Sequence, residues 1–497
     1  MIVDQSEDTI CAISTPHGVG GIAVVRVSGR DAVAIVDKIW RGRRLSDVDS
    51  HTAHLGTVTG DDDEVLDQCV ATVFRAPRSF TGEDVVELSV HGSQWIQRQV
   101  VNRLIRCGCR MAVAGEFTRR AFASGRMDLA EAEGVADLIA SSSRASHRLA
   151  VSQMRGHFSS RLRELRERLL ELSSLLELEL DFSEEEVEFA SRDKLALLAD
   201  GILSLTRKLA DSFAAGSAIK DGVPVAIVGA TNAGKSTILN QLLHEDRAIV
   251  SDIHGTTRDT IEDTMEIGGV LFRIIDTAGL RQTTDEVEAL GIERALSELD
   301  KARIVVWVVD CSDESRNDSV WEKISERLTP DHKLIIARNK VDLLDSSFVG
   351  GVPLCSSVSL GDNAKSDAGL RDIEGHSADS VGKPEEGFMR FSEARTVNLV
   401  AKEGRGMDGL RDALVDASGI SQIAEGDVMV TNARHYEALV NATEALARVL
   451  DGLQAGISGD FIAQDIRLAL HYLGEITGEI TTQDILTTIF SRFCIGK

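Results

Sequence analysis

Apolar residues recur at spacings of three and four in two separate parts of the chain. In the first part, residues 149–180, the repeating positions are Leu162, Leu165, Leu169, Leu172 and Leu176. In the second part, which starts near residue 424, they are Leu439, Ala442, Leu446, Val449 and Leu453. This spacing places the apolar side chains on one face of an α-helix. We therefore expect a long helix over 149–180 and a single bundle to which both parts contribute.

Between these two parts, short apolar runs alternate with helical periodicity. Strands are predicted at 223–228, 272–275, 304–309 and 334–337, and helices at 236–243, 292–299, 320–327 and 407–415. This alternation is typical of a parallel sheet with helices on both faces. Residues 346–395 break the pattern, because they are rich in Ser, Gly and Asp and have few large apolar side chains. They predict a disordered or loosely packed insertion.

The first 120 residues have a mixed α+β pattern, with strands predicted at 21–27 and 85–90. The sequence therefore predicts a multidomain chain. The expected domains are an α+β domain over 1–121, the first part of an all-α helical domain over 122–217, an inserted α/β domain over 218–420, and the second part of the helical domain over 421–497.

The amino-acid composition and net charge exclude several classes of protein. The chain has 497 residues, 43% of them apolar, and a net charge of −25. So acidic a chain is not expected to bind nucleic acid over its whole surface, although a local basic patch is compatible with it. No apolar run approaches the ~20 residues of a membrane helix, and the first residues lack the features of a signal peptide. Seven scattered cysteines without zinc spacing predict a reduced, cytoplasmic protein with no structural metal cluster.

A phosphate-binding loop is predicted at residues 229–236, whose sequence is Gly-Ala-Thr-Asn-Ala-Gly-Lys-Ser. It matches GxxxxGK[ST] and lies between a predicted strand and a predicted helix, as the motif requires. The glycines let backbone N–H groups converge on phosphate oxygens. Lys235 then supplies charge to the β- and γ-phosphates, and Ser236 offers a hydroxyl to Mg²⁺.

Three further motifs follow the loop in the order found in GTPases. A Gly-Thr-Thr-Arg-Asp segment at 255–259 suits a switch, Asp-Thr-Ala-Gly lies at 276–279, and Asn-Lys-Val-Asp lies at 339–342. The Asp276 carboxylate can hold Mg²⁺ through water, and the Gly279 N–H can reach the γ-phosphate. Asp342 can accept two hydrogen bonds from guanine, whereas adenine would leave its carboxylate unpaired. These motifs together predict a GTPase.

A fifth element, usually Ser-Ala-Lys, is represented by Val-Ala-Lys at 400–402. The serine is replaced, but the Ala401 N–H can still reach O6 of guanine. The predicted insertion places this element far downstream of the others.

The C-terminal sequence Cys-Ile-Gly-Lys at 494–497 follows a helical domain with an Era-like GTP-binding domain inserted upstream. Together with blocks at 8–16, 20–29, 79–87, 115–122 and 474–479, it makes the chain resemble the MnmE (TrmE) family of tRNA modification GTPases. The resemblance covers essentially the whole chain except the insertion. It implies an α+β folate-binding-like N-terminal domain that dimerises, a helical domain and a G domain of the TrmE class.

The resemblance also implies a reaction and its partners. The family acts with the FAD-containing protein MnmG (GidA), as a heterotetramer, on C5 of the wobble uridine of certain tRNAs. It installs an aminomethyl or carboxymethylaminomethyl group whose one-carbon unit comes from 5-formyl- or methylene-tetrahydrofolate, while FAD stays on the partner. By matching position, the implied folate contacts are Arg26, Glu87, Arg126 and Lys497. The family usually has Lys where Arg126 stands and Asn where Ser124 stands.

The same resemblance assigns the nucleotide and ion sites. Hydrolysis in the family depends on K⁺ and on pairing of G domains, with K⁺ in the place of an arginine finger. The implied catalytic residues are Glu288, which positions water, and Cys494, needed for tRNA modification. The implied Mg²⁺ ligands are Ser236 and Thr257, and the implied K⁺ ligands are Asn232, Ser251 (usually Thr), Ile253 and Thr256. The full GTP-binding set is Asn232, Ala233, Gly234, Lys235, Ser236, Thr237, Ser251, Asp252, Ile253, His254, Gly255, Thr256, Thr257, Asp276, Thr277, Ala278, Gly279, Asn339, Lys340, Asp342, Ala401 and Lys402.

Two other functions are compatible with parts of the sequence. An Era- or Der-like ribosome-assembly GTPase would carry an appended basic RNA-binding domain, which the acidic helical region and the Cys-Ile-Gly-Lys tail disfavour. A folate-dependent transferase with a vestigial G domain is disfavoured by the intact phosphate loop, Asp342 and Glu288.

Overall fold

The computed structural model describes residues 8–181, 192–245, 263–275, 299–344, 394–420 and 428–491, together with Phe493 and Gly496. The chain forms two compact units. The first comprises Met1–Ala140, Ala150–Asp211 and Asn432–Lys497, and the second comprises Ser141–Leu149 and Ser212–Thr431. The main segment of the second unit runs from Ser212 to Thr431, whereas the predicted inserted domain runs from 218 to 420.

The first unit contains a seven-stranded sheet with strands in the order β3-β4-β5-β6-β2-β1-β7. Its strands are β1 (Ile10–Ile13), β2 (Ile22–Ser28), β3 (Trp40–Gly42), β4 (Thr52–Thr59), β5 (Val65–Phe74), β6 (Val85–His91) and β7 (Arg110–Met111). All neighbours are antiparallel except β1 and β7. The strands predicted at 21–27 and 85–90 are confirmed as β2 and β6.

Four helices accompany this sheet: α1 (Ala32–Ile39), α2 (Gln94–Cys107), α3 (Glu116–Ala123) and α4 (Leu129–Ala140). Val25 of β2 and Leu88 of β6 point to one face, where they share a core with Val36 of α1 and Leu104 of α2. Strand alternation leaves the intervening polar side chains, among them Arg26 and Glu87, on the other face.

Ten further helices were assigned among the described residues. They are α5 (Arg144–Met154), α6 (His157–Asp181), α7 (Arg192–Asp211), α8 (Phe213–Asp221), α9 (Lys235–Glu245), α10 (Glu314–Ser325), α11 (Met407–Ser418), α12 (Ala433–Gln454), α13 (Gly459–Thr477) and α14 (Gln483–Phe490). Helices α6, α7, α12 and α13 pack against one another in the first unit. All ten residues of the two predicted apolar stripes are buried. The predicted bundle built from both sides of the insertion is therefore confirmed.

The long helix predicted over 149–180 is wrong in one respect, because it is broken after Met154. Gly156 has a φ of +76°, a left-handed conformation that glycine adopts without strain, and α6 begins at the next residue. A Cβ on Gly156 would lie 2.4 Å from Oε1 of Glu131, so the break also makes room for α4. The apolar periodicity alone does not reveal this turn.

The second unit contains a six-stranded sheet in the order β13-β12-β11-β8-β10-β9. Its strands are β8 (Val223–Gly229), β9 (Asp263–Ile267), β10 (Val270–Ile274), β11 (Ile304–Asp310), β12 (Lys333–Asn339) and β13 (Arg395–Asn398). Val306 faces a core shared with Leu239 of α9 and Leu410 of α11, whereas Trp307 faces a core shared with Ile324 of α10. The predicted helices on both faces are confirmed.

The expectation of a wholly parallel sheet needs one correction. β9 pairs antiparallel with β10 through the two-residue turn Gly268-Gly269, in which both glycines have positive φ. Such turns match the twist of a two-stranded hairpin. The helix predicted at 292–299 lies outside the described residues except for Leu299. Residues 346–393 of the predicted insertion also lie outside them, and Arg395 begins β13.

Candidate functional site

The predicted phosphate loop connects β8 to α9, as its sequence requires. Asn232 and Gly234 have φ values of +62° and +101°, which turn the backbone toward the start of the helix. A Cβ on Gly234 would lie 2.1 Å from Nδ2 of Asn339, so only glycine fits there. The loop is thus a backbone cradle at a helix N-terminus, the arrangement that binds phosphate.

Lys235, the first residue of α9, folds back over this loop. Its Nζ donates to the carbonyl oxygens of Gly229 and Ala230, both at 2.8 Å. Burial lowers the pKa of the Lys235 ammonium. The ammonium is therefore held inside the cradle, where an anion would compensate for its lost hydration.

Asn339 joins three of the predicted motifs. Its Nδ2 donates to the Ala233 carbonyl oxygen at 2.8 Å, and its Oδ1 accepts from the Ala401 N–H at 3.0 Å. Ala233 and Ala401 are both buried. The structure therefore brings the phosphate loop, the Asn-Lys-Val-Asp motif and the Val-Ala-Lys element together. The Ala401 N–H that we expect at guanine O6 is the one that Asn339 binds here.

Lys340 and Asp342 follow Asn339 at the carboxyl end of β12. Lys340 has a left-handed backbone, and Nζ lies 2.6 Å from Oδ2 of Asp310. Asp342 lies in a short 3-10 turn, Val341–Leu343, with its side chain exposed. Its carboxylate is therefore accessible to a base.

A cleft of roughly 330 Å³ opens between the phosphate loop and the ends of β11 and β12. It is lined by Ala230, Thr231, Asn232, Asp310, Ser312, Asp313 and Lys340. Asp310, Ser312 and Asp313 were not predicted from the sequence as residues of this site. A signal for them existed, because Asp310 directly follows an apolar strand in the way that Asn339 follows the next one.

Several expected nucleotide residues lie outside the described residues. These are Ser251, Asp252, Ile253, His254, Gly255, Thr256, Thr257, Asp276, Thr277, Ala278, Gly279 and Glu288. Ser236 and Thr237 lie in the first turn of α9, and Lys402 lies beside Ala401 in a 3-10 turn. Among the residues that are described, no cluster of three or more His, Cys, Asp or Glu side chains could hold a metal ion.

The first unit holds a second candidate site on the polar face of its sheet. Arg26 of β2 and Glu87 of β6 are directly opposed, and Nε and Nη2 both lie 2.8 Å from Oε1 of Glu87. The guanidinium lies over the rings of Phe80 and Phe117, at 5.4 and 5.6 Å from their centroids. Phe80 and Phe117 were not predicted as residues of this site, because nothing in the sequence blocks 79–87 and 115–122 indicates this role.

Arg126, another expected folate contact, lies on the loop after α3 with an exposed side chain. A Cβ on Gly82 would lie 2.6 Å from Oγ of Ser124 and 3.2 Å from Cγ of Arg126. The Ser124 hydroxyl lies 2.7 Å from the Thr81 carbonyl oxygen. Arg126 is thus packed beside the loop that carries Phe80.

The C-terminal tail reaches this second site. The Gly496 carbonyl oxygen accepts from the Ser14 hydroxyl at 3.0 Å and from Nη1 of Arg26 at 3.4 Å. Phe490 and Phe493 are buried against Leu129 and Ala132 of α4. Cys494 and Lys497, the remaining expected residues, lie outside the described residues.

A buried ion network supports the same face. Glu116 is fully buried and binds both Arg110 and Arg120, and Arg120 also binds Glu83 at 3.0 Å. Burial raises the pKa of Glu116, but hydrogen bonds from Arg110 and the Val113 N–H outweigh it and leave the pKa lowered. The network therefore holds the loop at 80–83 against α3.

No helix in the part of the chain that the structure describes has both the length and the apolar character needed to cross a membrane.

Comparison with known proteins gives matches to both units. The model of the MnmE helical domain matches residues 129–494, and the model of the GTP-binding protein TrmE N-terminus matches residues 9–126. The tRNA modification GTPase MnmE of Parabacteroides distasonis is 49% identical, covering 98% of this chain and 100% of that protein. The protein of the same name from Bacteroides thetaiotaomicron is 48% identical, covering 99% and 100%.

Among solved structures, the G domain of FeoB from Methanococcus jannaschii aligns at 22% identity with a TM-score of 0.24. It covers 40% of this chain and 98% of that one.

Proposed function

Because this chain belongs to the MnmE family of tRNA modification GTPases, we propose that its GTP hydrolysis drives addition of an aminomethyl or carboxymethylaminomethyl group to C5 of the tRNA wobble uridine. The partner in this proposal is the FAD-containing protein MnmG, and the one-carbon unit comes from a tetrahydrofolate. The chain acts as a cytoplasmic homodimer within a heterotetramer with MnmG.

The observation that carries the proposal is the contact of Gly496 with Arg26. It brings the Cys-Ile-Gly-Lys tail to the face that holds two of the expected folate contacts, Arg26 and Glu87. Chain connectivity alone keeps Cys494 within about 7 Å of Gly496, at no more than ~3.6 Å per residue. In this proposal the Cys494 thiol, two positions before Gly496 in the sequence, acts on a one-carbon unit bound near Arg26.

The second site has the chemistry that a folate needs. Folates carry carboxylates and a flat polar ring. Arg26 presents a planar guanidinium, which suits both bidentate binding of carboxylate and stacking. Arg126 adds an exposed positive charge. Glu87 can accept N–H groups of the ring, because only one of its oxygens is bound to Arg26 in the described contacts.

The nucleotide site has hydrogen-bond donors for phosphate and a carboxylate acceptor for guanine. Phosphate binds the cradle and Lys235, while Asp342 receives the N1–H and 2-amino group of guanine. The oxygen donors expected for Mg²⁺, Ser236 and Thr257, suit a hard cation. When bound, Mg²⁺ neutralises charge on the β- and γ-phosphates.

Asn232 supports the proposed K⁺ dependence. It belongs to the phosphate loop, lines the cleft and has a left-handed backbone. An amide oxygen is a suitable ligand for a hard cation. Ser251, Ile253 and Thr256 would complete its shell, and Glu288 would position the attacking water.

Reconstitution tests the proposal. The purified chain is mixed with MnmG, unmodified tRNA, GTP and tetrahydrofolate labelled with ¹³C at the one-carbon unit, and the tRNA nucleosides are analysed by mass spectrometry. We expect labelled carbon at C5 of the wobble uridine, and less of it when Na⁺ replaces K⁺. Unlabelled tRNA with normal GTP hydrolysis would favour a regulatory GTPase of ribosome assembly instead.

A further inference from the structure

Asp310 and Lys340 form an ion pair at the edge of the nucleotide site. β11 and β12 are parallel, and Asp310 is in register with Asn339, so Lys340 is the next residue along. Nζ of Lys340 lies 2.6 Å from Oδ2 of Asp310, with the two side chains 32% and 10% exposed. The sequence motifs assign no role to Asp310.

The two carboxylate oxygens of Asp310 have different partners. Oδ2 binds Lys340, whereas Oδ1 accepts from the N–H and the hydroxyl of Ser312 at 2.9 and 2.6 Å. Burial raises the pKa of the Asp310 carboxyl, but the bonds from Lys340 and Ser312 outweigh it, so the pKa is lowered. The carboxylate is therefore charged at neutral pH.

The backbone of Asp310 is also fixed. Nδ2 of Asn317 donates to its carbonyl oxygen at 2.9 Å, and its N–H donates to Oδ1 of Asn317 at 3.3 Å. Asn317 is 1% exposed. Asp310 is thus held rigidly. Lys340 has a long side chain, and without the ion pair it would lose rotamer entropy when a nucleotide binds.

Lys340 lies between two residues of the nucleotide site. Asn339 before it is tied to the phosphate loop, and Asp342 after it is exposed for the base. Asn232, Asp310 and Lys340 all line the same cleft. A Lys340 stem held in one direction offers a fixed apolar wall to a bound base and ribose.

We propose that Asp310 is a positioning residue for guanine nucleotides, which holds Lys340 along the site and so slows nucleotide release. This inference rests on the proposed guanine-nucleotide site. In it, Asp310, a residue outside the recognised motifs, contributes to the affinity for the nucleotide.

A conservative substitution separates this role from a structural one. In Asp310→Asn, the amide oxygen can still accept from Ser312, so the turn after β11 is preserved, because Asn and Asp both serve in such turns. The amide NH₂ cannot accept from Lys340, so only the ion pair is lost.

A double-mutant cycle tests the proposal with GDP as the probe. The dissociation constant and dissociation rate of GDP are measured for the full-length wild type, Asp310→Asn, Lys340→Met and the double variant. We expect Asp310→Asn to raise both roughly three- to tenfold, in the range for a partly exposed charged hydrogen bond. In the Lys340→Met background the same change should have no further effect. The affinity for inosine diphosphate should fall by the same factor as that for GDP, because in the proposal the 2-amino group is bound by Asp342 and not by Lys340.

The control variant is Asp408→Asn, which removes an exposed carboxylate paired with Arg411 in the same unit. It should leave GDP binding unchanged. An unchanged dissociation rate in Asp310→Asn, or equal effects of that change with and without Lys340, would overturn the inference. If wild type itself did not bind GDP, the proposed nucleotide site would fail instead. Matching melting temperatures for wild type and Asp310→Asn would show that the fold is intact.

Discussion

The Ser14 hydroxyl donates to the Gly496 carbonyl oxygen at 3.0 Å, although 482 positions separate the two residues in the sequence. Gly496 has a φ of +97°, and a Cβ there would lie 2.3 Å from the Ile13 carbonyl oxygen. Gly496 therefore lies directly against the backbone at the end of β1. Glycine is required at this position by both conformation and space.

Gly496→Ala should separate the tail from the sheet without affecting the nucleotide site. Overlap of this kind costs roughly 1–3 kcal/mol, which lowers the docked population about 5- to 150-fold. We expect tRNA modification to fall accordingly while GTP hydrolysis by the isolated chain stays normal. Nucleoside mass spectrometry and a phosphate-release assay measure the two activities.

The matched control is Gly419→Ala. Gly419 also has a positive φ, at +70°, but nothing lies within 4 Å of its Cβ position. It reports the cost of backbone strain alone. Full modification by Gly496→Ala would show that tail docking is not needed for the reaction.

Asn339→Ala should weaken nucleotide binding, because two backbone groups of the site lose their hydrogen-bond partner. It leaves the Ala233 carbonyl oxygen and the Ala401 N–H without their partner, and each buried orphan costs roughly 1–3 kcal/mol. We expect the GDP dissociation constant to rise at least about tenfold, which corresponds to 1.4 kcal/mol. Isothermal titration calorimetry measures this change, and an unchanged affinity would contradict the assigned role of Asn339.

Arg120→Met should destabilise the first unit. Arg120 is 8% exposed and binds both Glu83 and the fully buried Glu116, so its loss leaves buried negative charge poorly compensated. Removing one partner of a buried pair costs about 3–5 kcal/mol. The neighbouring Arg119→Met provides the control, because Arg119 is 37% exposed and lies 3.8 Å from Glu116. Equal melting temperatures for the two variants would contradict this prediction.

A buried charged cluster should make the stability of the helical bundle depend on pH. Glu133 of α4 lies 2.6 Å from Nε2 of His435 and 3.0 Å from Nη2 of Arg434, both on α12. Burial raises the pKa of Glu133, but His435 and Arg434 outweigh it and lower the pKa from 4.5 to about 2. The charged carboxylate is therefore bound more tightly than the protonated one.

Because the pKa is lower in the folded state, this stabilisation is present above pH 4.5 and is lost as the pH falls toward about 2. It is on the order of 3 kcal/mol. Wild type should melt well above Glu133→Gln at pH 7, and the difference should shrink below pH 4.5. Glu164→Gln, an exposed carboxylate that binds Arg161 and Arg168, serves as control. A gap between wild type and Glu133→Gln that is constant with pH would contradict the assignment.

Local sequence signals predicted much of the fold. The leucine stripe from Leu162 to Leu176 predicted the bundle helix, and the continuous apolar run of β11 predicted a strand buried on both faces. The turn at Gly156 was missed because a left-handed backbone and the close approach of Glu131 are not encoded in the apolar periodicity. The β9–β10 hairpin was missed although Gly268-Gly269 is a turn signal.

The residues of the candidate sites also fall into a group that the sequence predicts and a group that it does not. Residues 232–237 and 339–342 could be predicted because their motifs are contiguous and their chemistry is fixed by phosphate and guanine. The Asp310–Lys340 pair depends on the register of two strands, and the Ser14–Gly496 contact joins the two ends of the chain. Neither contact has a local sequence signature, so neither could be predicted from the sequence.

The central claim is that one protein couples a GTP site to a second centre, built from Arg26, Glu87 and the tail, for tRNA modification. The most direct measurement is mass spectrometry of tRNA nucleosides from a strain lacking this gene and complemented with wild type, Lys235→Ala, Glu288→Ala or Cys494→Ser. The account predicts that wild type alone restores the modified wobble uridine. Restoration by Cys494→Ser or Lys235→Ala, or no restoration by wild type, would contradict it.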